Sequence, residues 1–309
     1  MVELPSFTLI GECMIELREP HGGQVTRSYG GDVLNTAVYL ARLLGDNATV
    51  RFTTVLGDDP FSAEMIANWE SEGILCDTVG RLSEHNAGLY FVKTDRTGER
   101  TFHYWRDQSA ARDIMSDKWA AMRKRAMASD WIYISGITLA ILDDNGRERL
   151  LSDLIEAKSN GAQIVFDGNF RPSLWRHSND ARNWHMRAWK LCDLALSGAE
   201  DEAQVFGDAT PETSLERLKD YGIPEICVKC GFEPLRIYAN TEFKTVKFNI
   251  VNEVVDTTAA GDSFNAGYLA ARLHHKSSLE AAQIGAVLAA EVIQHPGAVI
   301  PSTKMPKLL

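Results

Sequence analysis

No apolar run among these 309 residues approaches the roughly 20 that a membrane-spanning helix needs. An excess of basic residues is also missing. With 32 Lys and Arg against 42 Asp and Glu, the formal charge is −10, which argues against nucleic acid or a membrane surface as partner. The opening MVELPSFTLIGEC has no basic segment leading into an unbroken apolar stretch, so no signal peptide is expected. Cysteine is scarce: five residues, odd in number and scattered, as in a reducing compartment, and a cytoplasmic protein is expected. Cys227 and Cys230 make one C-x-x-C, but EICVKCG reads as a strand, where residues three apart face opposite sides. Neither a shared metal nor a redox pair is expected there. His274 and His275 read as solvated surface, and no His/Cys/Asp cluster has metal-site spacing. Two nucleotide motifs are absent as well, G-x-G-x-x-G and G-K-[ST], which removes the dinucleotide fingerprint and the P-loop.

What is present is alternation. Apolar, β-branched runs at 7–17, 50–57, 131–135, 162–167, 193–197 and 225–229 read as strands. Amphipathic stretches at 32–45, 60–73, 143–160, 178–191, 211–221, 261–275 and 277–294 read as helices between them. The pattern predicts one α/β domain over 1–309 with a doubly wound, mostly parallel sheet and helices on both faces. One region breaks the pattern. NAGLYFVKTDRTGERTFHYWR (86–106) reads as two strands around the polar turn TDRTGE. With the segment at about 12–32, the stretch 86–108 predicts a small second sheet: a plain edge, a homo-oligomer contact, or a lid over a site.

The stretch DTTAAGDSFNAGY (256–268) brackets small residues with two acids at a helix start. Small residues at 259–261 allow a ligand close to the backbone, and a helix N-terminus favours anions. Thr257, Thr258, Ala259, Ala260 and Gly261 therefore suit an anion cradle, with Asp262 directly behind it. Capping explains the acids equally well. The usual capping box, though, puts its acid three residues after the cap, and three after Thr258 is Gly261. In FDGNFRPSLW (166–175), Asp167, Asn169 and Arg171 stand at i, i+2 and i+4 at a strand's carboxyl end, where open α/β sheets bind ligands. In YGGDVLNTAVYLARLLG (29–45), Asp32 reads as a helix cap, and the stripe Val33, Ala37, Leu40, Ala41, Leu44 points to the core. Asn35 lies off that stripe, as a local cap partner or a ligand contact.

Taken together, these motifs resemble the ribokinase-like (PfkB) carbohydrate kinases. D-T-T-A-A-G-D-S-F-N-A-G resembles their C-terminal signature, G-G-D-V-L-N-T-A and L-G-D-D-P-F their N-terminal ones, and V-K-C-G their nucleotide loop. GECMIEL, A-G-L-Y, T-G-E-R-T-F-x-Y-W-R and D-x-N-x-R-x-x-L-W resemble members acting on keto-deoxy sugar acids. The resemblance implies ATP-dependent phosphorylation of an acid such as 2-keto-3-deoxygluconate at its 6-hydroxyl, with Mg²⁺. It implies Asp262 as catalytic base, and the amides of Ala259, Ala260 and Gly261 as the hole for the transferred phosphoryl. It further implies Gly31 and Asn35 on sugar hydroxyls, and Tyr90, Tyr104, Arg106 and Arg171 around the sugar and its carboxylate. Asn169, Lys229 and Gly231 fall on the nucleotide side. Glu202 carries over as an indirect Mg²⁺ contact, and Asp256, with the loop QHPGA (294–298), as a monovalent-cation (K⁺) site.

Three departures from the family pattern stand out. Ala199 replaces the Asn of Asn-x-x-Glu, Pro234 replaces a frequent loop glycine, and A-A-G-D replaces G-A-G-D. Two chemical expectations follow from the resemblance. A neutral hexose would leave Arg106 and Arg171 unpaired in a closed site, and a low pKa for Asp262 at a positive helix end is tolerable, because a loose transition state needs no strong base early. The alternatives are a neutral-sugar kinase on the same fold and a non-catalytic sugar- or nucleotide-binding regulator.

Overall fold

Unbroken apolar strands need cover on both faces, and the fold supplies it. The computed structural model describes residues 4–19, 23–94, 100–251 and 253–309. In chain order the first strands are β1 (Ser6–Ile10), β2 (Met14–Glu19), β3 (Thr26–Gly30), β4 (Thr49–Leu56), β5 (Val79–Arg81), β6 (Gly88–Thr94) and β7 (Arg100–Trp105). Then come β8 (Trp131–Ser135), β9 (Gln163–Asp167), β10 (Leu194–Gly198), β11 (Glu225–Cys230), β12 (Glu233–Ala239) and β13 (Glu242–Val246). The helices are α1 (Asp32–Leu44), α2 (Pro60–Ser71), α3 (Ala120–Ala126), α4 (Gly136–Ile141) and α5 (Asp144–Ser159). They continue as α6 (Ser178–Trp189), α7 (Ala199–Phe206), α8 (Pro211–Asp220), α9 (Ala260–Leu273) and α10 (Ser278–Val292). Local chemistry starts several of them. Asp59 caps α2 ahead of Pro60, Asp143 caps α5, and Ser277 and Glu280 close a capping box on α10.

Among the described residues the main sheet has nine strands in the order β13-β12-β11-β10-β9-β8-β1-β4-β5. It is parallel from β11 to β5, with β12 and β13 added antiparallel at one edge. This is the α/β architecture of the ribokinase-like fold. Alternate residues on each strand serve opposite cores, as a two-residue period requires. Phe7, Leu9, Tyr133 and Val165 join α1, α9 and α10 on one face; Ile10, Ile132, Ile134, Ile164 and Phe166 join α5 and α6 on the other. No described helix is long and apolar enough to cross a membrane.

A second sheet has the order β3-β2-β6-β7. The hairpin expected from the sequence is present as β6 and β7, paired antiparallel. Residues 95–99 of its expected turn, TDRTGE, lie outside the described residues. The run 7–17, read as a single strand, is in fact two strands in different sheets. At the break, an added Cβ on Gly11 would lie 2.7 Å from the Val33 side chain, so helix α1 crosses directly against this joint.

The chain returns from the second sheet to the core through Gly31, which precedes α1. A Cβ on Gly31 would sit 2.1 Å from the backbone carbonyl oxygen of Glu12, and backbone yields poorly. Gly31→Ala is therefore expected to destabilise the fold by about 1–3 kcal/mol, the cost of overpacking. Thermal unfolding checks this; an unchanged midpoint would mean the two segments separate freely.

Candidate active site

The centre of the site is the start of α9. Asp256 fixes the approach: its Oδ1 accepts from the Thr258 amide at 2.9 Å. Ala259 then takes a left-handed conformation, φ 61°, which turns the chain into the helix. The Ala260 amide donates to the Thr257 carbonyl at 3.2 Å, and the first full helical bond runs from Ser263 N–H to the Ala259 carbonyl at 2.9 Å. Of the three amides expected to form an anion hole, that of Ala260 is thus already engaged. The amides of Gly261 and Asp262, ahead of the first helical bond, belong to the unpaired set at a helix N-terminus.

Asp262 sits one turn in. Its Oδ2 accepts from Asn35 Nδ2 at 2.8 Å, a contact spanning 227 residues of sequence. Asn35 is therefore no local cap partner. Its Oδ1 is buried and finds no partner among the described residues, leaving an acceptor at the cleft. Asp32 is not a cap either: Gly31 occupies the cap position without a side-chain bond, and Asp32 Oδ2 accepts from Asn169 Nδ2 at 2.6 Å. Asp262 does not hold the low pKa that a helix terminus favours. Burial, then the charge of Asp32, pushes it up, and these overcome the helix terminus.

Asp167 ends β9, and the strand stops there. Asn169 has φ 24°, so the two-residue period expected to align Asp167, Asn169 and Arg171 does not extend past the strand. All three nevertheless line the same cleft. Lys229 ties the floor together: Nζ is 3.3 Å from Asp167 Oδ1 and 3.0 Å from Asn265 Oδ1. Asn265 in turn donates to Asp167 Oδ2 at 2.7 Å and to the Tyr133 hydroxyl at 2.9 Å. Asp201 lies close by, and burial and Asp167 push it up to about 6.

The cleft has a volume of about 1150 Å³. It brings together Gly31, Asn35, Tyr90, Tyr104, Arg106, Asn169, Arg171, Lys229, Gly231 and Ala259 to Asp262, from segments spread over the chain. Two residues anticipated from the sequence are not on its wall, Glu202 and Asp256. Glu202 is buried beneath β10, where it accepts from Ser197 at 2.6 Å and pairs with Arg217. Acids that do face the cleft at this end include Asp167, Glu200, Asp201 and Glu233. No three described acids, histidines or cysteines form a metal cage. That arrangement fits Mg²⁺ carried by phosphates and water beside one or two carboxylates.

The second sheet roofs the cleft. Tyr90 and Tyr104 face each other across β6 and β7, rings stacked at 5.9 Å, and Tyr90 donates to Glu16. The two arginines, expected to be unpaired without an acidic ligand, both have partners in the chain. They differ greatly in commitment. Arg106 is buried against buried Glu12. Arg171 is 53% exposed and only within 3.8 Å of Asp201, a pairing worth about 0–1 kcal/mol. Of the two, Arg171 has the more exposed guanidinium, its Nη1 donating to the Phe170 carbonyl at 2.8 Å.

A feature the sequence did not reveal adjoins the cradle. An apolar cleft of about 260 Å³ is lined by Phe232, Phe248, Ile250, Phe264, Ala286, Ala290 and Ile293. Lys229, Gly231, Thr257, Ala260 and Gly261 line it too, and so form a wall common to both clefts. The signal that marks it is small residues on one face of α10 beside exposed Phe232 and Ile250.

Comparison with known proteins gives the family. The chain matches the pfkB family carbohydrate kinases over residues 5–305. It is 41% identical over 307 residues to 2-dehydro-3-deoxygluconokinase of Dickeya dadantii, covering 97% of this chain and 98% of that one. A fructokinase of Vibrio alginolyticus is 26% identical over 266 residues, covering 86% and 83%. Among solved structures, a ribokinase II of E. coli in complex with ATP and Mg²⁺ superposes with a TM-score of 0.82 at 21% identity, covering 96% and 94%. By the extent of these matches, the chain belongs to the pfkB family of carbohydrate kinases.

Proposed function

We propose that the protein transfers the γ-phosphoryl group of ATP to the 6-hydroxyl of 2-keto-3-deoxy-D-gluconate, giving the 6-phosphate and ADP. What carries the substrate choice is 41% identity over nearly the whole chain to a 2-dehydro-3-deoxygluconokinase, against 26% to a fructokinase. The site supports it chemically. Asn35 Oδ1 is an unused acceptor for a sugar hydroxyl, and Arg171 is a loosely held fork for the carboxylate.

In this reading Asp262 takes the proton as the 6-oxygen attacks phosphorus and the bond to the bridging oxygen of ADP breaks. The charge that develops falls at the start of α9, where the Gly261 and Asp262 amides and the helix dipole stabilise it. Asn35 holds the Asp262 carboxylate toward the hydroxyl. The apolar cleft takes the adenine, and Lys229 spans the two clefts at the level of the phosphates. Mg²⁺ would supply charge neutralisation for the phosphates. Asp201 or Glu200 would face it through water. The four-stranded sheet serves as the lid of a single kinase domain, excluding water from the reacting atoms. We further infer a cytoplasmic enzyme, since all five cysteines are free thiols.

An ATP-coupled assay across 2-keto-3-deoxygluconate, fructose, ribose, gluconate and adenosine tests the reading. A preference for a neutral sugar would sink the substrate assignment. Arg171→Ala is expected to raise KM for the acid by the equivalent of about 1.5–3 kcal/mol, the worth of a hydrogen bond to a charged group. Its KM for ATP should stay close to that of the unmodified protein. An unchanged acid KM would remove Arg171 from the carboxylate site.

A further inference from the structure

Resemblance to the family led to the expectation of a monovalent cation beside Asp256 and the loop 294–298, and the residues present do not fit one. An alkali cation is held by oxygen atoms in place of its water shell. Here four oxygens along that seam already accept hydrogen bonds. Asp256 Oδ1 takes the Thr258 amide at 2.9 Å, and Oδ2 takes the Gly297 amide at 3.0 Å. The Ile293 carbonyl takes the amides of Val255 at 2.8 Å and Asp256 at 3.1 Å. The Ala298 carbonyl takes the Tyr39 hydroxyl at 2.7 Å. A positive charge is present nonetheless. Arg18, reaching over from lid strand β2, places Nη1 3.0 Å from Asp256 Oδ2. It is itself oriented by Glu16, 3.3 Å from Nε.

We propose that Arg18 occupies the electrostatic place of the monovalent cation, so that this kinase holds its phosphate cradle with a lid residue and works independently of potassium. Asp256 joins the segment leading to Ala259 with the loop bearing Gly297, and the guanidinium neutralises the buried carboxylate that makes the join. Arg18 is a positioning residue: it touches Asp256 and lines neither cleft.

The proposal rests on the phosphoryl-transfer reading, and its test has an arm that does not. Thermal melting without nucleotide or sugar, in potassium, sodium and tetramethylammonium chlorides of equal ionic strength, reads cation binding alone. The unmodified protein should melt alike in all three. A potassium-specific rise of about 2 °C or more, the signature of a bound ion, overturns the proposal whatever the substrate proves to be. In turnover, the unmodified enzyme should be equally active with potassium and sodium. Arg18→Gln should lose about 10–100-fold in kcat, as expected for a displaced cradle. Its residual rate should also acquire a preference for potassium over sodium, which a merely weakened lid would not create. Potassium activation of the unmodified enzyme, full turnover by R18Q, or a residual rate indifferent to the cation would each overturn it. Should R18Q fail to fold, Arg18→Met replaces it with the same two readings, and the melting arm decides by itself.

Discussion

Asp262→Asn is expected to lower kcat by roughly 10²–10⁴-fold, the range that a positioned general base contributes, with little change in either KM. The amide is nearly isosteric with the carboxyl and keeps a polar atom toward Asn35, so the fold should survive. Two pH effects separate a base from a structural acid. Burial and Asp32 push Asp262 up to about 8 in the protein without ligands. Because the base acts deprotonated, kcat/KM of the unmodified enzyme should climb with pH until about 8 and then level. Stability should move the other way. An unfolded Asp loses its proton near about 3.9, whereas the folded one keeps it until about 8. Between those values the unfolded state binds fewer protons, so the acid increasingly destabilises the fold as pH rises, and below them it costs nothing. D262N removes that penalty and should melt no lower than the unmodified protein near neutral pH. Retained turnover in D262N, or a flat kcat/KM profile, would remove Asp262 from the base role.

Gly261→Val should be nearly as severe for a different reason. A Cβ on Gly261 has a single neighbour, Lys229 Nζ at 3.6 Å, an ordinary contact. The fold therefore has room for the side chain, and the room is the phosphate cradle. The two methyl groups would stand where the anion must approach the Gly261 and Asp262 amides. Losing one such donor typically costs about 10²–10³-fold in kcat. G261V should show that loss together with weakened ATP binding by calorimetry, while its melting temperature stays close to that of the unmodified protein. Normal ATP binding by G261V would place the phosphates elsewhere.

How much of this was legible in the sequence depended on the range of the interaction. Helices with a local start signal were readable: α10, with its Ser277–Glu280 box, and α5, with Asp143, lie within two residues of the predicted bounds. The short α4 and α7 were missed because few residues carry too little periodicity. The joint at Gly11 was invisible, since only contact with Val33 shows that the apolar run divides between two sheets. In the site, the types of residue were legible and their partners were not. Asn35 and Asp262 meet across 227 residues, and Glu12 claims Arg106 across 94. The raised pKa of Asp262 has the same origin: it depends on Asp32 and on burial, both contributed by distant segments.

The wall that Lys229, Gly231, Thr257, Ala260 and Gly261 share between the polar and apolar clefts has a practical consequence for inhibitor design. Across that shared wall a single molecule can carry an aromatic head in one cleft and a sugar-acid mimic in the other. A spacer of phosphate length would join them across Gly261. Tethering converts the second binding event into an intramolecular one, at an effective concentration of about millimolar for a short linker. Two weak fragments joined this way should bind far more tightly than either alone, and such a compound should compete with both ATP and the sugar acid.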